Sequence, residues 1–436
     1  MAGTLPLELG KLGVQVLVMM PRYRGILARK KKLAENVNIV FVENEVFFNR
    51  ASLYGNDKGD YSDNLERFSF FCKRSLELAR EIGFKPDVVH VHDWQASFIP
   101  ALLKEKYSDD PFFQKTKSLL TIHNLAYQGI FPHRLYPALE LPEDLFSAEG
   151  FESHGKINLL KAGILFSDAI STVSPTYAEE IQGKELGFGL DEAVKKRAQS
   201  LHGILNGIDV NVWNPAKDKA IKKFFSAAAI EGKAANKADL QKTCSMEVDP
   251  DIPLFGMVTR LAEQKGLESF AEIADEFLSK NVQFVLLGEG DSVYHTTFRN
   301  IGSRHTKNSA IYLGFDSEEA HRIYAGCDFF LMPSLFEPCG LGQLISMRYG
   351  TVPIVRRTGG LADTVIDCDA DPKKGNGFSF TGRFSSGLLQ AIERALKVFE
   401  DKKRFKELQV TGMKGDFSWK QSAERYKKLY KDLIGS

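Results

Sequence analysis

One stretch of the sequence, Phe329-Phe-Leu-Met-Pro-Ser-Leu-Phe-Glu-Pro-Cys-Gly-Leu-Gly-Gln-Leu344, indicates the fold class. Its first four residues are apolar, which is typical of a strand buried on both faces of a parallel sheet. The proline, serine and glycine residues that follow predict a loop, and a helix is predicted from about Gly340. The stretch therefore predicts an α/β fold in which ligands bind at the carboxyl ends of the strands.

The same pattern of apolar run, turn and helix recurs along the chain. The other predicted strands are Val14–Met20, Asn38–Val42, Asp87–Val91, Ser118–Ile122, Ala169–Val173, Leu254–Val258, Val282–Leu287 and Thr351–Val355. They fall into one set before about residue 175 and one after about residue 250, which predicts two Rossmann-like, doubly wound domains facing each other across a cleft. We predict domains at residues 1–215 and 216–418, followed by an amphipathic helix at residues 419–436.

Composition excludes several classes of protein. The 436 residues carry 57 basic and 56 acidic side chains, a net charge of +1, so a general nucleic-acid-binding surface is not favoured. The longest apolar runs are too short for a membrane span, and the first residues lack a leader pattern, so a soluble, cytoplasmic protein is predicted.

The five cysteines form no C-x-x-C motif, which argues against a disulfide framework and against a zinc site. We interpret the basic run Arg29–Lys32 as a solvated face.

The second predicted domain carries an acid, two cations and two glycine turns at strand ends. Glu337 follows the strand Phe329–Met332, where a carboxylate suits sugar hydroxyls better than phosphate. Arg260 and Lys265 follow another strand and suit a diphosphate leaving group, although an exposed salt-bridging pair is an alternative interpretation. A second glycine turn, Arg357–Leu361, follows Thr351–Val355, so two glycine turns could grip one ligand. Neither G-x-G-x-x-G nor a Walker A lysine occurs, so the dinucleotide and P-loop fingerprints are missing.

The first predicted domain carries histidines at two strand ends. In Val88-Val-His-Val-His-Asp-Trp94, the side chains of Asp93 and Trp94 suit a sugar's hydroxyls and ring face, respectively. His123 and Asn124 occupy the same position after the strand Ser118–Ile122. A metal site at His90 and His92 is an alternative, but no second cluster of ligands supports it.

Taken together, these segments resemble bacterial glycogen synthases and plant starch synthases, which are retaining glucosyltransferases of the two-domain GT-B architecture. The resemblance covers nearly the whole chain. Its most specific strings are Thr121-Ile-His-Asn-Leu-Ala-Tyr-Gln-Gly129 and Phe336-Glu-Pro-Cys-Gly-Leu341, and it also runs through Phe41–Asn44, Phe48–Arg50, Leu53–Gly55, Asp60–Asn64, Glu66–Phe68, His92–Trp94, His202–Asp209, Arg260–Leu261, Gln264–Gly266 and Arg356–Asp363.

The resemblance implies transfer of glucose from ADP-glucose to the non-reducing 4-hydroxyl of an α-1,4-glucan such as glycogen or starch, with retention. It implies no cofactor and no metal, and neither a nucleic-acid nor a membrane partner. The implied catalytic residues are Glu337, His123, Arg260, Lys265 and Asp93. The implied donor-binding residues are Asn206, Cys339, Gly340, Leu341, Thr358, Gly359 and Phe315, and the implied acceptor-binding residues are Tyr54, Trp94 and Asn124. The last helix is implied to cross back onto the first domain.

The chain departs from the family pattern in three places. No Lys-x-Gly-Gly-Leu loop precedes Gly3-Thr-Leu-Pro6, so we expect the first domain to be incomplete at its start. The segment Arg24–Asn38 is shorter than usual, and Phe315 stands where a tyrosine is common. The alternatives to the synthase are therefore a truncated or impaired glucan-binding relative, and a GT-B enzyme that uses UDP-glucose. A metal-dependent hydrolase built on His90 and His92 is a more distant alternative.

Overall fold

Two units divide the computed structural model, which describes residue 1 and residues 3–56, 59–382 and 385–435. The first unit consists of Met1–Leu205 and Trp419–Ser436, and the second of Asn206–Ser418. The sequence predicts a boundary after residue 215, whereas the units divide after Leu205. The intervening segment belongs to the second unit because Ile208 N–H donates to the Phe417 carbonyl (2.8 Å) and Trp213 stacks on His321, with ring centroids 4.0 Å apart.

The first unit contains several β-sheets among the described residues. Its strands are β1 (Val16–Pro21), β2 (Lys30–Ala34), β3 (Val37–Val42), β4 (Gly55–Asn56), β5 (Gly59–Asp60), β6 (Val88–His92), β7 (Lys117–Ile122), β8 (Ile130–Pro132), β9 (Glu152–Ser153), β10 (Lys156–Asn158), β11 (Ala169–Thr172) and β12 (Leu201–Gly203). They form a four-stranded parallel sheet, the three-stranded sheets β1-β3-β2 and β8-β10-β9, and the two-stranded sheet β4-β5. The order β12-β11-β7-β6 is parallel throughout, and β11 is buried along its whole length. Burial on both faces accounts for the strand pattern of the central strands β7 and β11 in the sequence.

One of the three-stranded sheets has the order β1-β3-β2, in which β2 pairs antiparallel with β3. Lys30, Lys31 and Lys32 of β2 are exposed, as expected for the solvated face that we assigned to this run. Lysines on an edge strand discourage pairing with another chain. The predicted strands of this unit therefore divide between two sheets.

Helices connect these strands. In the first unit they are α1 (Leu5–Lys11), α2 (Glu45–Phe48), α3 (Asn64–Glu81), α4 (Asp93–Ala96), α5 (Ile99–Glu105), α6 (Leu159–Phe166), α7 (Pro175–Glu180) and α8 (Asp191–Lys196), with short 3-10 turns at His133–Leu139, Glu143–Leu145 and Ala198–Ser200. No helix among the described residues has the length and apolar character needed to cross a membrane.

The second unit is built on one six-stranded parallel sheet. Its strands are β13 (Leu254–Leu261), β14 (Gln283–Gly290), β15 (Ser309–Leu313), β16 (Phe329–Met332), β17 (Val352–Arg356) and β18 (Phe378–Phe380), in the order β15-β14-β13-β16-β17-β18. Its helices are α9 (Gly232–Thr243), α10 (Leu267–Ser279), α11 (Ser292–Arg304), α12 (Ser317–Gly326), α13 (Gly342–Arg348), α14 (Gly359–Thr364), α15 (Ser385–Glu400) and α16 (Lys402–Met413), and a 3-10 turn lies at Glu263–Lys265.

The strand order of this sheet reverses between β13 and β16. Successive residues of β16 point to opposite faces, so Phe329 packs into one apolar cluster and Phe330 into the other. In open parallel sheets the reversal opens a crevice at the carboxyl ends of the strands, which is where ligands bind. Arg260 at the end of β13 and Glu337 after β16 both follow strands at this point.

The last helix, α17 (Trp419–Ile434), belongs to the first unit. Its buried residues Trp419, Ala423, Tyr426 and Leu429 share an apolar cluster with residues of α1, β7 and β11. The spacing of these residues matches the helical periodicity in the sequence.

Candidate active site

A buried ion pair lies at the strand reversal of the second unit. Lys265 Nζ donates to Glu337 Oε2 at 2.7 Å, and the Ser334 hydroxyl donates to the same oxygen at 2.9 Å. Glu337 is only 6% exposed. Its other oxygen, Oε1, has no hydrogen-bond partner in the part of the chain that the structure describes. That oxygen is therefore available to a ligand.

The turn after β13 is locked to the loop after β16. Gly266 has φ +63°, and a Cβ on it would lie 2.1 Å from the Pro333 carbonyl oxygen, so only glycine fits there. Leu335 N–H donates to the Gln264 carbonyl (2.8 Å), and Gln264 Nε2 donates to the Phe336 carbonyl (3.1 Å). These contacts hold Lys265 beside Glu337.

Arg260 differs from Lys265 in its surroundings. It lies near the end of β13, its side chain is exposed, and it has no ion-pair or hydrogen-bond partner among the described residues. The two predicted cations thus divide into one anchored by a carboxylate and one free to meet an anionic ligand.

The two glycine turns pack against each other, backbone to backbone. Gly359 has φ +43°, and a Cβ there would lie 2.1 Å from the Glu337 carbonyl oxygen. A Cβ on Gly360 would lie 2.0 Å from the Cys339 carbonyl oxygen, and Gly360 N–H donates to the Glu337 carbonyl (3.0 Å). Thr358, which precedes this turn, is 2% exposed. The structure therefore brings the loops after β16 and β17 together, as the sequence predicts.

The loop between Glu337 and α13 exposes backbone donors. Gln343, which is fully buried, donates from Nε2 to the carbonyls of Cys339 (3.0 Å) and Gly340 (3.1 Å). The N–H groups of Gly340 and Leu341 donate to no other described residue. Burial raises the pKa of Cys339 to about 12, so its thiol stays protonated and unreactive.

Asn206 and Phe315 complete the predicted donor-side residues. The backbone N–H of Asn206 bonds to Cys339, while Asn206 Oδ1 is buried and has no partner among the described residues. A buried acceptor without a donor is costly, so Asn206 Oδ1 is a natural place for a ligand hydroxyl. Phe315 is 84% exposed and makes no ring contact with other described residues.

In the first unit, Asp93 and His123 meet at the ends of the neighbouring strands β6 and β7. Asp93 Oδ1 accepts the backbone N–H of His123 at 2.8 Å, and Asp93 also accepts from the backbone of Asn124. Burial raises the pKa of Asp93 above its ordinary value. Asn124 Oδ1 accepts from Ala126 N–H (3.0 Å) and stabilises the following turn.

Three histidines lie in a row behind this group. His123 Nε2 is 3.3 Å from His92 Nδ1, and the rings of His92 and His90 lie 4.3 Å apart. Both ring nitrogens of His90 are occupied, Nδ1 by the Tyr430 hydroxyl (2.7 Å) and Nε2 by the Thr121 hydroxyl (2.6 Å). His90 therefore offers no nitrogen to a metal ion, which removes the basis of the metal interpretation of His90 and His92.

Trp94 occupies a different environment from the one that the sequence predicts. It is 7% exposed, with Phe68 and Phe131 edge-on to its rings at 5.0 and 5.8 Å. Gly129 approaches so closely that a Cβ there would lie 2.5 Å from the indole. The prediction that Trp94 offers a ring face to a sugar is therefore corrected, since these neighbours make it part of the core.

Tyr54, by contrast, is 42% exposed. The Tyr23 hydroxyl bonds to the Tyr54 hydroxyl, and the ring of Tyr54 packs 5.9 Å from that of Phe68. It remains a candidate contact for an acceptor.

Comparison with known proteins agrees with this geometry. The family model for the starch synthase catalytic domain matches residues 1–196, and that for glycosyl transferases group 1 matches residues 245–408. Glycogen synthase from Syntrophotalea carbinolica is 44% identical over 99% of this chain and 94% of its own length. Glycogen synthase 2 from Geobacter sulfurreducens is also 44% identical, over 98% of this chain and 93% of its own length. The chain belongs to the glycogen and starch synthase family.

Solved structures show the same relationship. The catalytic domain of starch synthase IV from Arabidopsis thaliana, bound to ADP and acarbose, matches with a TM-score of 0.91 at 33% identity, covering 99% of this chain and 94% of that one. Sucrose-phosphate synthase from Thermosynechococcus elongatus matches with a TM-score of 0.64 at 17% identity over 99% and 92% of the two chains, which shows the fold alone. The predicted α/β, GT-B fold class is confirmed.

Sequence reasoning missed several residues that support the site. Ser334, Gln264 and Gln343 hold Glu337 and its loop, and Arg356 donates to the carbonyls of Leu335 and Gly382. The sequence contained one indication of their importance, because Gln264 and Arg356 lie inside segments that resemble the family. Polar side chains that bond to backbone carbonyls have no characteristic spacing, so the sequence does not reveal their partners.

One further group of possible metal ligands lies among the described residues, at Asp367, Cys368 and Asp369. Arg394 bonds to both carboxylates, with Nη1 3.0 Å from Asp367 Oδ1. The guanidinium neutralises the two acids, so this group is an ion-pair cluster.

Proposed function

We propose that this chain is a glycogen synthase that transfers glucose from ADP-glucose to the non-reducing 4-hydroxyl of an α-1,4-glucan, with retention at the anomeric carbon. The observation that carries the proposal is the partly buried Lys265–Glu337 pair at the strand reversal, with the unpaired Arg260 near the end of β13. Glycogen synthases that match nearly the whole chain support the reaction, and the related starch synthase IV structure that holds ADP supports the nucleotide.

The second unit supplies the donor-side chemistry. As the bond between glucose C1 and the diphosphate oxygen breaks, negative charge grows on the diphosphate. Arg260 binds phosphate oxygens with its free guanidinium, and Lys265 adds a second cation that Glu337 keeps in place. Lys265 lowers the energy of the developing charge without having to reorganise, because its pairing with Glu337 has already positioned it.

Glu337 and the groups around it orient the sugar. Its free Oε1 accepts a glucose hydroxyl, and the unpaired N–H groups of Gly340 and Leu341 donate to sugar oxygens. Asn206 Oδ1 accepts a further hydroxyl. The bonds from Lys265 and Ser334 to Oε2 lower the nucleophilicity of the Glu337 carboxylate, so we assign it to binding the sugar.

In the first unit, we assign Asp93 and His123 to contacts with sugar hydroxyls and Tyr54 to the acceptor. The acceptor hydroxyl forms the new bond to C1 on the face that the diphosphate leaves, and its proton passes to the departing diphosphate oxygen. This front-face route retains the anomeric configuration with no covalent enzyme intermediate. Mass spectrometry that trapped a glucosyl adduct on Glu337 or Asp93 would contradict it.

The proposal includes no metal in the chemical step, because Arg260 and Lys265 already supply two positive charges to the diphosphate. Transfer should therefore be unchanged by a chelator. Loss of activity in EDTA that added Mg²⁺ restores would overturn this part of the proposal.

We also place the reaction in the cytoplasm. All five cysteines are free, and four of them are buried, which fits a reducing compartment. Cell fractionation that found the protein outside the cytoplasmic fraction would contradict the assignment.

The direct test is incorporation of glucose into glycogen from labelled ADP-glucose, with UDP-glucose in a parallel reaction. We expect transfer from ADP-glucose that exceeds transfer from UDP-glucose. A preference for UDP-glucose would favour the GT-B alternative. Glycogen co-sedimentation without transfer from either donor would favour a glucan-binding relative.

A further inference from the structure

A row of three histidines, His90, His92 and His123, lies behind the sugar side of the first unit. We propose that His92 is a positioning residue that holds the imidazole of His123 and thereby sets which ring nitrogen of His123 faces the sugar. The inference rests on the proposed function, in which His123 contacts the donor glucose. Nothing in the reaction requires His92 to touch the substrate.

The contact between the two rings follows from the sheet. His92 ends β6 and is paired in register with Thr121 of β7, and His123 follows β7 directly. His123 Nε2 and His92 Nδ1 are 3.3 Å apart, and the ring centroids are 5.4 Å apart. Asp93 Oδ1 accepts the backbone N–H of His123 at 2.8 Å and so fixes the backbone there, which leaves only the side-chain torsions of His123 free to change. The contact with His92 restricts these torsions.

His92 is itself supported from behind. His90 and His92 lie on the same face of β6, two residues apart, with ring centroids 4.3 Å apart. His90 cannot turn, because Tyr430 of α17 and Thr121 of β7 occupy its two nitrogens. Thr121 continues the network to Ser171 of β11 at 2.6 Å. The His92 ring therefore rests on a side chain that three elements hold.

Burial keeps this row uncharged. It lowers the pKa of His90 to about 3 and lowers the pKa values of His92 and His123 below the ordinary value for histidine. A neutral imidazole has one nitrogen that donates and one that accepts. If His123 Nε2 donates to His92, its Nδ1 must accept, and if Nε2 accepts, Nδ1 must donate.

His123 Nδ1 has no hydrogen-bond partner among the described residues, so it is the nitrogen available to a sugar hydroxyl. The contact couples the tautomer of His123 to that of His92 and keeps Nδ1 turned towards the sugar. Without this contact, the ring of His123 could turn and Nδ1 would no longer be held in that direction. The expected consequence is a lower kcat rather than weaker glucan binding.

Two polar substitutions of His92 separate positioning from general packing. His92→Asn places an amide atom near the position of Nδ1, whereas His92→Gln places its amide near the position of Nε2. We expect His92→Gln to lower kcat by about tenfold with the KM for glycogen unchanged, and His92→Asn to retain most of kcat. The matched control is His133→Gln, because His133 is exposed and lies outside the row.

A spectroscopic measurement tests the same point without turnover. The chain has nine histidines, and ¹⁵N-histidine NMR, with His123 assigned by substitution, reports its tautomer. We expect the tautomer ratio of His123 in His92→Gln to differ from that in the unmodified protein, because the bond to Nε2 is lost. The ratio in His92→Asn should stay closer to that of the unmodified protein, because its amide can still bond to Nε2.

Equal kcat values for His92→Asn and His92→Gln, or a His123 tautomer that neither substitution changes, would overturn the proposal. If the unmodified protein transfers no glucose, the proposed function fails. The NMR comparison then still decides whether His92 positions His123.

Discussion

At the scale of single residues, Lys265 and Arg260, which the sequence predicts to act on the same diphosphate, have different surroundings and therefore different roles. Lys265 is tied to Glu337, and breaking such a partly buried pair leaves a carboxylate without its counter-charge. Arg260 has no partner among the described residues, so its removal leaves nothing unsatisfied inside the protein. Lys265 therefore affects both the shape and the charge of the site, and Arg260 affects only the charge.

Replacing Lys265 with alanine should reduce kcat/KM for ADP-glucose by about 100-fold or more, because a fixed cation no longer meets the growing charge on the diphosphate. The far-ultraviolet circular dichroism spectrum should stay unchanged, since Ser334 still bonds to Glu337. Lys280→Ala removes a lysine that pairs with Glu393 (3.1 Å) on the surface of the same unit, and it should change neither quantity. Near-normal turnover by Lys265→Ala would remove Lys265 from the mechanism.

His90 makes the stability of the first unit depend on pH. The pKa of His90 is about 3 in the folded protein, below the ordinary value of 6.5. Below about pH 6.5, His90 therefore binds a proton in the unfolded chain but stays neutral in the folded chain. The contribution of His90 to the free energy of unfolding is therefore complete above pH 6.5 and is lost towards pH 3, by about 1 kcal/mol per pH unit. Between pH 6.5 and 5 most carboxylates are still ionised in both states, so this window isolates the histidines.

The measurement is urea unfolding at several pH values between 6.5 and 5, followed by tryptophan fluorescence in a Trp213→Phe background. The remaining tryptophans, Trp94 and Trp419, both lie in the first unit. His90→Gln should make the pH dependence less steep, while His92 and His123 still contribute to it, and His133→Gln should leave it unchanged. An equally steep dependence in His90→Gln would show that another group is responsible.

At the scale of elements, the site depends on two loops that touch through their backbones. Each loop follows a strand of the parallel sheet, β16 or β17, and the strands are direct neighbours. Glycines at 359 and 360 permit this approach, because any side chain there would collide with a carbonyl of the other loop. The shape of the donor side is therefore set by the packing of two elements rather than by one motif.

Gly359→Ala should separate these loops. The new Cβ would lie 2.1 Å from the Glu337 carbonyl oxygen, so Glu337 must move, and we expect ADP to bind about tenfold more weakly or worse in calorimetry. Gly25→Ala provides the control, because Gly25 also has positive φ (+88°) but has no atom within 4 Å of the added carbon. That variant should lose about 1 kcal/mol of stability from backbone strain and bind ADP normally.

At the scale of the whole molecule, the chain order and the units do not coincide. The first unit takes its last helix, α17, from beyond the second unit. Trp419 and Tyr426 of α17 are 4% and 0% exposed in a cluster with Leu5, Leu119 and Ala169. The second unit has its own two apolar clusters and needs nothing from α17 among the described contacts.

Truncation after Ser418 should therefore destabilise the two units unequally. We expect the first unit to become sensitive to protease, because the apolar faces of α1 and the parallel sheet lose their cover, while residues 206–418 remain resistant. Limited proteolysis with mass spectrometry distinguishes the fragments. Truncation after Ile434 is the control and should leave both units resistant. Equal protection of both units after truncation at Ser418 would contradict this role of α17.

The sequence alone predicted nine of the eighteen strands among the described residues, and the polar groups that follow several of them. Each of the nine predicted runs is a strand, because an apolar, β-branched run that ends at a turn is a local pattern typical of a buried strand. Glu337, Lys265, Asp93 and His123 were found for a similar reason. The carboxyl ends of parallel strands gather at one edge of a sheet, so polar residues just after such strands are the natural site candidates.

The tertiary structure alone decided which of these side chains contact one another, and which of them are enclosed by other residues and cannot contact a ligand. His90 bonds to Tyr430, 340 positions away, and Trp94 is enclosed by Phe68, Phe131 and Gly129, although its place after β6 predicted exposure. The division of the predicted strands of the first unit between two sheets, and the boundary at Leu205, likewise depend on pairings between distant segments. The physical reason is that local pattern reports burial and periodicity, whereas the identity of a side chain's partner is fixed only when the chain packs.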